Sequence, residues 1–489
     1  MGHAALCVFS SSGNIAHPRA AAPPTPPLLL EVPVPPSTHA LSTPVSRRDL
    51  VRIAWPIVVS MLSYTAMSVV GTLFVARLGT AELASMGLAL STLFTIHAFG
   101  DGLLTGLKVA VAQRTGAGDE DAVERLLWHG LWLALGMGLV EIALVPFADL
   151  FFTLQGASPS ATASASGYFG ARMLGGPIVF GTYALSAWLQ GRGDTRPPMF
   201  ATVLANLANI ALDPLLIFGA GPIPALGTKG AAVATVLSYG LAFTFLAHRL
   251  RAPLARFPRR PRRALFADVW RLGAPLGLRS TLHIGSFAVF NAILARVGDH
   301  HLAAHVVVVR IISVSFLPGL GIGEAASILV GQLVGAARLG EIVRVRRDAL
   351  RLGASVMAAC GLLFVLFPGP LVHLFGPKPA VAAIALDLML IAAAFQLFDA
   401  VAAVYTGVLN GAGDTRFVMV AGVATQWLVM VPLGWALAVP AGLGAVGAWL
   451  GLTAEILAAA ALAWWRVHGE PWRRRLPAAA PPPGGPAGA

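Results

Sequence analysis

An aspartate and two asparagines share one face of an apolar segment in the first half of the chain. Asn206 and Asn209 precede Asp213 by seven and four positions, and a proline follows it. Helical spacings of four and seven place the three side chains on one face, so the carboxylate has amide partners. Proline in a helix also leaves a backbone carbonyl without its usual donor, and such oxygens suit a hard cation. The pattern predicts a cation or proton site at Asn209 and Asp213 and a cavity position for Asn206, with a helix-end cap as the alternative for Asp213.

A second aspartate, Asp399, lies deep in an apolar segment of the second half, three positions after Gln396. It precedes the turn that ends its segment by eleven residues, about 16 Å along a helix, which places it near the middle of a bilayer. Placing an ionisable group there costs at least about 2.5 kcal/mol on membrane-insertion scales, so a function or a hydrogen-bond partner must offset this cost. We interpret Asp399 as a cation or proton site and Gln396 as a possible cavity residue. A structural hydrogen bond to a neighbouring helix is the alternative.

His283 follows Arg279 by one helical turn. Imidazole is the side chain whose charge normally changes near physiological pH, so His283 could carry a proton. A histidine that is simply hydrogen-bonded between helices is an equally serious alternative.

Asp101 and Lys108 are seven positions apart and so share a helix face, with His97 one turn before Asp101. We expect the two charges to pair with each other or to enclose a third group. Lining a cavity is the alternative.

The composition excludes an ordinary soluble domain. Of 489 residues, 56% are hydrophobic and 11% are charged, against about 25% charged in soluble domains. The formal charge of +12 comes largely from arginines beside apolar segments, which favours a topology signal over nucleic-acid binding. Cys7 and Cys360 have no disulfide or zinc spacing, and His301 with His305 lacks a third ligand. We therefore expect a membrane protein with no metal, no organic cofactor and no nucleic-acid partner.

Twelve apolar segments are long enough to span about 30 Å of hydrocarbon. They lie near residues 53–76, 83–110, 126–152, 163–190, 198–219, 230–248, 271–297, 302–334, 350–375, 381–410, 417–440 and 443–465. The predicted fold class is an all-α polytopic membrane protein with twelve transmembrane helices, six in each half.

The two halves are copies of one unit. Gln190-Gly191-Arg192-Gly193-Asp194-Thr195-Arg196 returns 220 positions later as Asn410-Gly411-Ala412-Gly413-Asp414-Thr415-Arg416, and Gln113 returns as Gln332 at an offset of 219. Because each copy has an even number of spans, the repeats are parallel, with the expected site in the cleft between them. The predicted organisation is a disordered tail (1–45), two six-helix lobes (46–250 and 266–468), a basic linker (251–265) and a second disordered tail (469–489).

Lysine and arginine concentrate on one side of the predicted topology. The connections on the other side hold only Arg77, Lys229, Arg296 and Lys378. By the positive-inside rule, both termini and the linker are predicted to be cytoplasmic, in the cell (inner) membrane. A targeting role for the N-terminal tail is the alternative to simple disorder.

Several motifs, in order and at this spacing, resemble the multidrug and toxic compound extrusion (MATE) exporters, particularly the DNA-damage-inducible branch. They cover about residues 46–468 and comprise the doubled Gly-Asp-Thr-Arg, Val75-Ala76-Arg77-Leu78-Gly79-Thr80, Leu302-Ala303-Ala304-His305, Gly323-Glu324-Ala325-Ala326, Leu329-Val330-Gly331-Gln332 and Leu212-Asp213-Pro214-Leu215. The resemblance implies a two-lobed, V-shaped antiporter that exports organic, cationic or amphipathic solutes in exchange for protons or sodium ions. Such a protein is not an enzyme, and we expect a monomer.

The resemblance also implies roles for individual residues. Asn209 and Asp213 match the ion site of the N-terminal lobe, and Asp399 matches a coupling acid of the C-terminal lobe in some branches. Two positions depart from the family pattern: Gly71 stands where an aspartate is common in the first span, and His283 stands where another branch has a glutamate.

Two other functions are alternatives. A flippase of a lipid-linked precursor would need a large basic cavity, for which Lys108, Arg279 and Arg310 are the candidates. A polytopic membrane transferase would need a cluster of acids or histidines at one membrane face, and the sequence shows none.

Overall fold

The computed structural model describes residues 44–219, 221–222, 224–256 and 262–469. Within these ranges every regular element is helical, as the apolar spans predict. Helices suit this sequence because a membrane-spanning segment must satisfy its own backbone hydrogen bonds. The two predicted disordered tails lie almost wholly outside the described residues, as do linker residues 257–261.

The first half of the chain begins at a capping box, in which the Ser46 hydroxyl accepts from the Asp49 amide and the Asp49 carboxylate accepts from the Ser46 amide. This arrangement satisfies backbone donors that a helix start leaves unpaired. The helices of this N-terminal lobe are α1 (Arg47–Ala76), α2 (Thr80–Gly116), α3 (Glu120–Leu144), α4 (Ala148–Leu154), α5 (Pro159–Leu174), α6 (Gly176–Gly191), α7 (Arg196–Phe218) and α8 (Thr228–Arg249).

The second half repeats this order after the short helix α9 (Arg251–Arg256). A π-helical turn at Gln426–Met430 separates two of its helices. The helices of this C-terminal lobe are α10 (Arg263–Val297), α11 (Asp299–Gly335), α12 (Ile342–Leu366), α13 (Pro368–His373), α14 (Pro379–Gly411), α15 (Thr415–Thr425), α16 (Val431–Ala438) and α17 (Gly444–His468).

Eleven helical segments in the described ranges are long and apolar enough to cross a membrane. The remaining predicted span, 163–190, is divided into α5 and α6 at Gly175. Pro177 begins the second piece, and proline cannot supply a backbone donor to the preceding turn. The break also brings backbones together, because a Cβ on Gly138 of α3 would overlap Pro177. The twelfth crossing is thus made by two helices in succession.

The start of α10 differs from the predicted end of the linker at residue 265. The helix already begins at Arg263, and Leu265 and Val269 are buried in the core of the N-terminal lobe. Burial of these apolar side chains extends the helix into the predicted linker and ties its first turns to the other lobe.

The two lobes pack against each other through repeat-related helix pairs, α2 with α10 and α1 with α11. Gly102 faces Gly277 and Gly106 faces Gly273 so closely that a Cβ on either residue of α2 would overlap the backbone of α10. Small residues permit such close approach of membrane helices. At one end of the molecule α2, α6, α11 and α14 end and α10 begins; we call this end the linker face.

Candidate functional site

The predicted site in the N-terminal lobe is assembled on α7. Asp213 is 1% exposed, and its Oδ1 accepts a hydrogen bond from Asn209 Nδ2 at 3.2 Å. Asn209 also approaches Thr235 Oγ1 of α8 at 3.5 Å. The second carboxylate oxygen, Oδ2, is buried and accepts no hydrogen bond from the described residues. The structure therefore brings Asn209 and Asp213 together and leaves one carboxylate oxygen available to a proton or cation.

Gly71 of α1 lies opposite that oxygen. A Cβ at Gly71 would be 3.5 Å from Asp213 Oδ2, so the position at which the family pattern often has an aspartate faces the predicted site. Asn206 has a different role. Its side-chain amide donates to the carbonyl and the hydroxyl of Ser63. These bonds join α7 to α1, so the Asn206 amide donates to Ser63 and not to Asp213.

The predicted site in the C-terminal lobe is centred on Asp399 of α14, which is 8% exposed. Glu455 lies on α17, which packs against α14, and it accepts a hydrogen bond from Thr425 Oγ1 at 3.0 Å. Gln396 donates to Ser315 Oγ of α11 at 2.8 Å, so its amide joins two helices. Glu455 is not among the predicted site residues, because spacing along one helix does not show which acids a neighbouring helix carries.

His283 is hydrogen-bonded between helices. Its Nδ1 lies 2.7 Å from Gln426 Nε2, in the π-helical turn, which agrees with the structural alternative and leaves the other ring nitrogen outside this bond. Nearby, Arg279 and Glu455 line one small cavity of the C-terminal lobe, and Arg279 Nε is buried with no hydrogen-bond partner among the described residues. A proton-carrying role for His283 stays a prediction.

Lys108 does not form the predicted ion pair with Asp101. It pairs with Glu324 of α11 instead, and Asp101 has an exposed side chain. The expectation of a direct pair was wrong because helix packing supplies an acid from the other lobe, which spacing along α2 cannot reveal. Lys108 is thus part of the contact between the lobes.

The other intramembrane histidines also have protein partners. His97 Nε2 lies 2.7 Å from Glu141 Oε1, which joins α2 to α3. His301 Nδ1 accepts from the amide of Ala445 at 3.1 Å, and His305 Nδ1 accepts from Trp449 Nε1 at 3.2 Å. Both of these bonds hold α11 against α17. No group of three or more metal-ligating side chains occurs among the described residues.

Comparison with known proteins agrees with this architecture. The MatE family profile matches the chain twice, at residues 56–215 and 275–436. The matches begin at Pro56 and Pro275, positions that the internal repeat aligns with each other, so the duplication is confirmed.

Named relatives cover almost the whole helical region. The probable multidrug resistance protein NorM of Pseudomonas putida is 32% identical over 426 residues, which is 84% of this chain and 92% of the relative. The probable NorM protein of Rhizobium meliloti is 31% identical over 442 residues, 87% of this chain and 94% of the relative. The expected membership of the DNA-damage-inducible branch stays a prediction.

The fold is also that of solved transporters. A multidrug resistance MATE family transporter of the MOP superfamily, described in an outward-facing conformation, superposes with a TM-score of 0.81 at 23% identity over 87% of this chain and 96% of that chain. A MOP superfamily transporter from Pyrococcus furiosus gives the same values. With two matches to the family profile, relatives at 32% identity and the shared two-lobed fold, the chain is a multi-pass membrane protein that belongs to the MATE family of transporters.

Proposed function

We propose that the protein is a secondary active antiporter that exports organic, cationic or amphipathic solutes in exchange for protons or sodium ions. Family membership supports transport rather than enzymatic catalysis. Relatives from two bacteria carry the name of multidrug resistance proteins, which supports organic solutes as the exported class.

The observation that carries the proposal is a buried carboxylate in each lobe, Asp213 and Asp399. A charged group inside a membrane protein is costly unless it is paired or neutralised. A proton or cation that binds the carboxylate in one conformation and leaves it in the other couples the ion gradient to the conformational change. Asn209 supplies an amide to the N-terminal site, and His283 is a titratable group in the lobe of the C-terminal site.

One coupling site is sufficient energetically. A single charge that moves down about 150 mV releases roughly 3.5 kcal/mol. At about 1.4 kcal/mol per tenfold change in concentration, this energy sustains a gradient of a few hundredfold for a neutral solute. For a neutral solute, exchange of one ion at one of the two carboxylates during each cycle is therefore sufficient.

The proposed orientation places the linker face and both termini on the cytoplasmic side of the cell (inner) membrane, with the protein acting as a monomer. The concentration of lysine and arginine on that side supports the orientation.

The structure offers little support for a lipid-precursor flippase. Of the three basic candidates, Lys108 is paired with Glu324 and Arg279 shares its small cavity with Glu455. Acids therefore accompany two of the three charges that a basic cavity would need.

The test is transport by the purified full-length chain in liposomes loaded with ethidium, a planar organic cation. A proton gradient and a sodium gradient are imposed separately at zero membrane potential. We expect one of them to drive ethidium out against its concentration gradient. Absence of uphill efflux under both gradients, in vesicles where the protein is shown to bind ethidium, would exclude the antiport proposal.

A further inference from the structure

Two glutamines at equivalent positions of the repeat reach across to the opposite lobe. Gln113 near the end of α2 donates from Nε2 to the carbonyl oxygen of Gly411 at 3.0 Å. Gln332 near the end of α11 donates from Nε2 to the carbonyl oxygen of Gly191, also at 3.0 Å. The two bonds are reciprocal, since each lobe gives one donor and one acceptor.

The acceptors belong to the duplicated Gly-x-Gly-Asp-Thr-Arg turns. Gly191 and Gly411 are the last residues of α6 and α14, where helix carbonyls have no partner inside the helix. The glutamine amides satisfy one of these carbonyls in each lobe.

The second glycine of each turn provides both a backbone conformation and space. Gly193 has φ 84° and Gly413 has φ 82°, a region that favours glycine. A Cβ at Gly193 would lie 3.3 Å from Gln332 Nε2, and a Cβ at Gly413 would lie 3.2 Å from Gln113 Nε2. Each turn is therefore shaped to receive the amide of the opposite lobe, in addition to ending its own helix.

The helix ends that carry the glutamines are themselves in backbone contact. A Cβ on Gly116 would overlap the carbonyl of Gln332, and a Cβ on Gly335 would overlap the carbonyl of Gln113. Gln332 is only 3% exposed. The lobes are thus sealed together at the linker face by a contact in which both halves of the repeat take equal parts.

We propose that Gln113, Gln332 and the two Gly-x-Gly-Asp-Thr-Arg turns form a reciprocal clasp that closes the linker face, and that both hydrogen bonds open together during transport. The proposal rests on the antiport function, which requires each face to open in turn. Neutral amide–carbonyl bonds suit a reversible closure, because water replaces them at modest net cost when the lobes separate.

The ion pair between the lobes lacks this duplication. Lys108 pairs with Glu324, but their repeat-related positions hold Ser327 and Thr105. The ion pair therefore has no repeat-related counterpart, whereas the two hydrogen bonds of the clasp are equivalent and form in the same closed arrangement of the lobes.

The test measures the distance between the lobes at the linker face in reconstituted full-length protein. Spin labels are attached at Arg196→Cys and Arg416→Cys, which are exposed and equivalent in the repeat, after both native cysteines are changed to serine. Gln113→Met and Gln332→Met keep the side-chain length but remove the donor. Gln155→Leu is the control, because Gln155 lies beyond α4, at the opposite ends of the helices.

We expect the population of molecules with a long label distance, relative to the population with a short one, to rise roughly two- to tenfold for each lost bond. The same population ratio should stay unchanged in Gln155→Leu. If the double variant does not fold, the two single variants still report the effect. Unchanged distances in both single variants would overturn the clasp. Because distances are measured without transport, a rise in protein that shows no antiport would uphold the clasp and reject the proposed function.

Discussion

Gly71 on α1 and Asp213 on α7 face each other across the contact between these helices, with 3.5 Å between a Cβ built on the glycine and the carboxylate oxygen Oδ2. This oxygen accepts no hydrogen bond from the described residues, while Asn209 holds the other. A side chain at position 71 would therefore act directly on the group that we propose to bind the coupling ion.

Replacing Gly71 with aspartate should change ion coupling. Gly71→Asp would add a second carboxylate beside Asp213, and two close carboxylates strongly favour holding a shared proton or cation. We expect the ion concentration that gives half-maximal ethidium exchange to fall, by roughly tenfold per 1.4 kcal/mol of added interaction. Gly71→Ala is the control, since 3.5 Å is an ordinary contact distance. Equal ion dependence of both variants and the wild type would show that position 71 does not face the ion site.

Neutralising the coupling acid should separate solute binding from uphill transport. Asp399→Asn and Asp213→Asn keep size and hydrogen-bonding capacity but prevent ionisation, so the variant at the coupling site should bind ethidium and fail to export it against a gradient. We rank Asp399 first because His283 leaves a titratable group in its lobe. Normal uphill efflux by Asp399→Asn at wild-type abundance would reverse this ranking. Normal efflux by the double variant would exclude both carboxylates.

The Lys108–Glu324 ion pair should contribute to the cohesion of the lobes. Removing one member of a buried pair leaves the other charge uncompensated. Because the Glu324 side chain is 25% exposed, solvent screens part of this cost, and we expect the free energy of unfolding to fall by about 1 to 3 kcal/mol. Lys108→Met and Glu324→Gln should each lower the unfolding temperature in detergent more than the double variant does. Strictly additive effects of the two single substitutions would mean that the pair is not coupled.

The glycine contact between α2 and α10 should tolerate no side chain. Gly106→Ala would place a methyl group into the backbone at Gly273, and such overpacking costs about 1 to 3 kcal/mol. Gly87→Ala on the same helix is the matched control, because a Cβ there meets no atom within 4 Å. The melting temperature of the purified protein should fall for Gly106→Ala and hold or rise for Gly87→Ala. The reverse order would contradict the packing of these two helices.

The orientation of the protein can be tested by cysteine labelling in intact cells. Single cysteines at Arg251 and Arg262 should react only with reagents that enter the cytoplasm, whereas cysteines at Lys229 and Lys378 should react from outside. The physical reason is the retention of lysine and arginine on the cytoplasmic side during insertion. Labelling of Arg251→Cys by a membrane-impermeant reagent would reject the proposed topology.

The sequence by itself determined the features that depend on local pattern. Apolar length gave the spanning helices, and the offset between Gln113 and Gln332 revealed two copies of one unit. The position of Asp399 inside an apolar segment marked it as an ionisable group whose cost of insertion a function or a partner must offset, whatever its neighbours are. At Asp213, the spacing to Asn209 correctly predicted a hydrogen bond, because both residues lie on one helix.

Only the tertiary structure decided which groups meet across helices. Lys108 and Glu324 are 216 positions apart, and Gln113 and Gly411 are 298 positions apart. Helical periodicity fixes the face on which a side chain lies, but it does not specify which helix packs there or at what height. The glycines of α2 allow the second lobe to approach closely. This approach is what makes Glu324, and not Asp101, the partner of Lys108. It also brings each glutamine against the Gly-x-Gly turn of the opposite lobe.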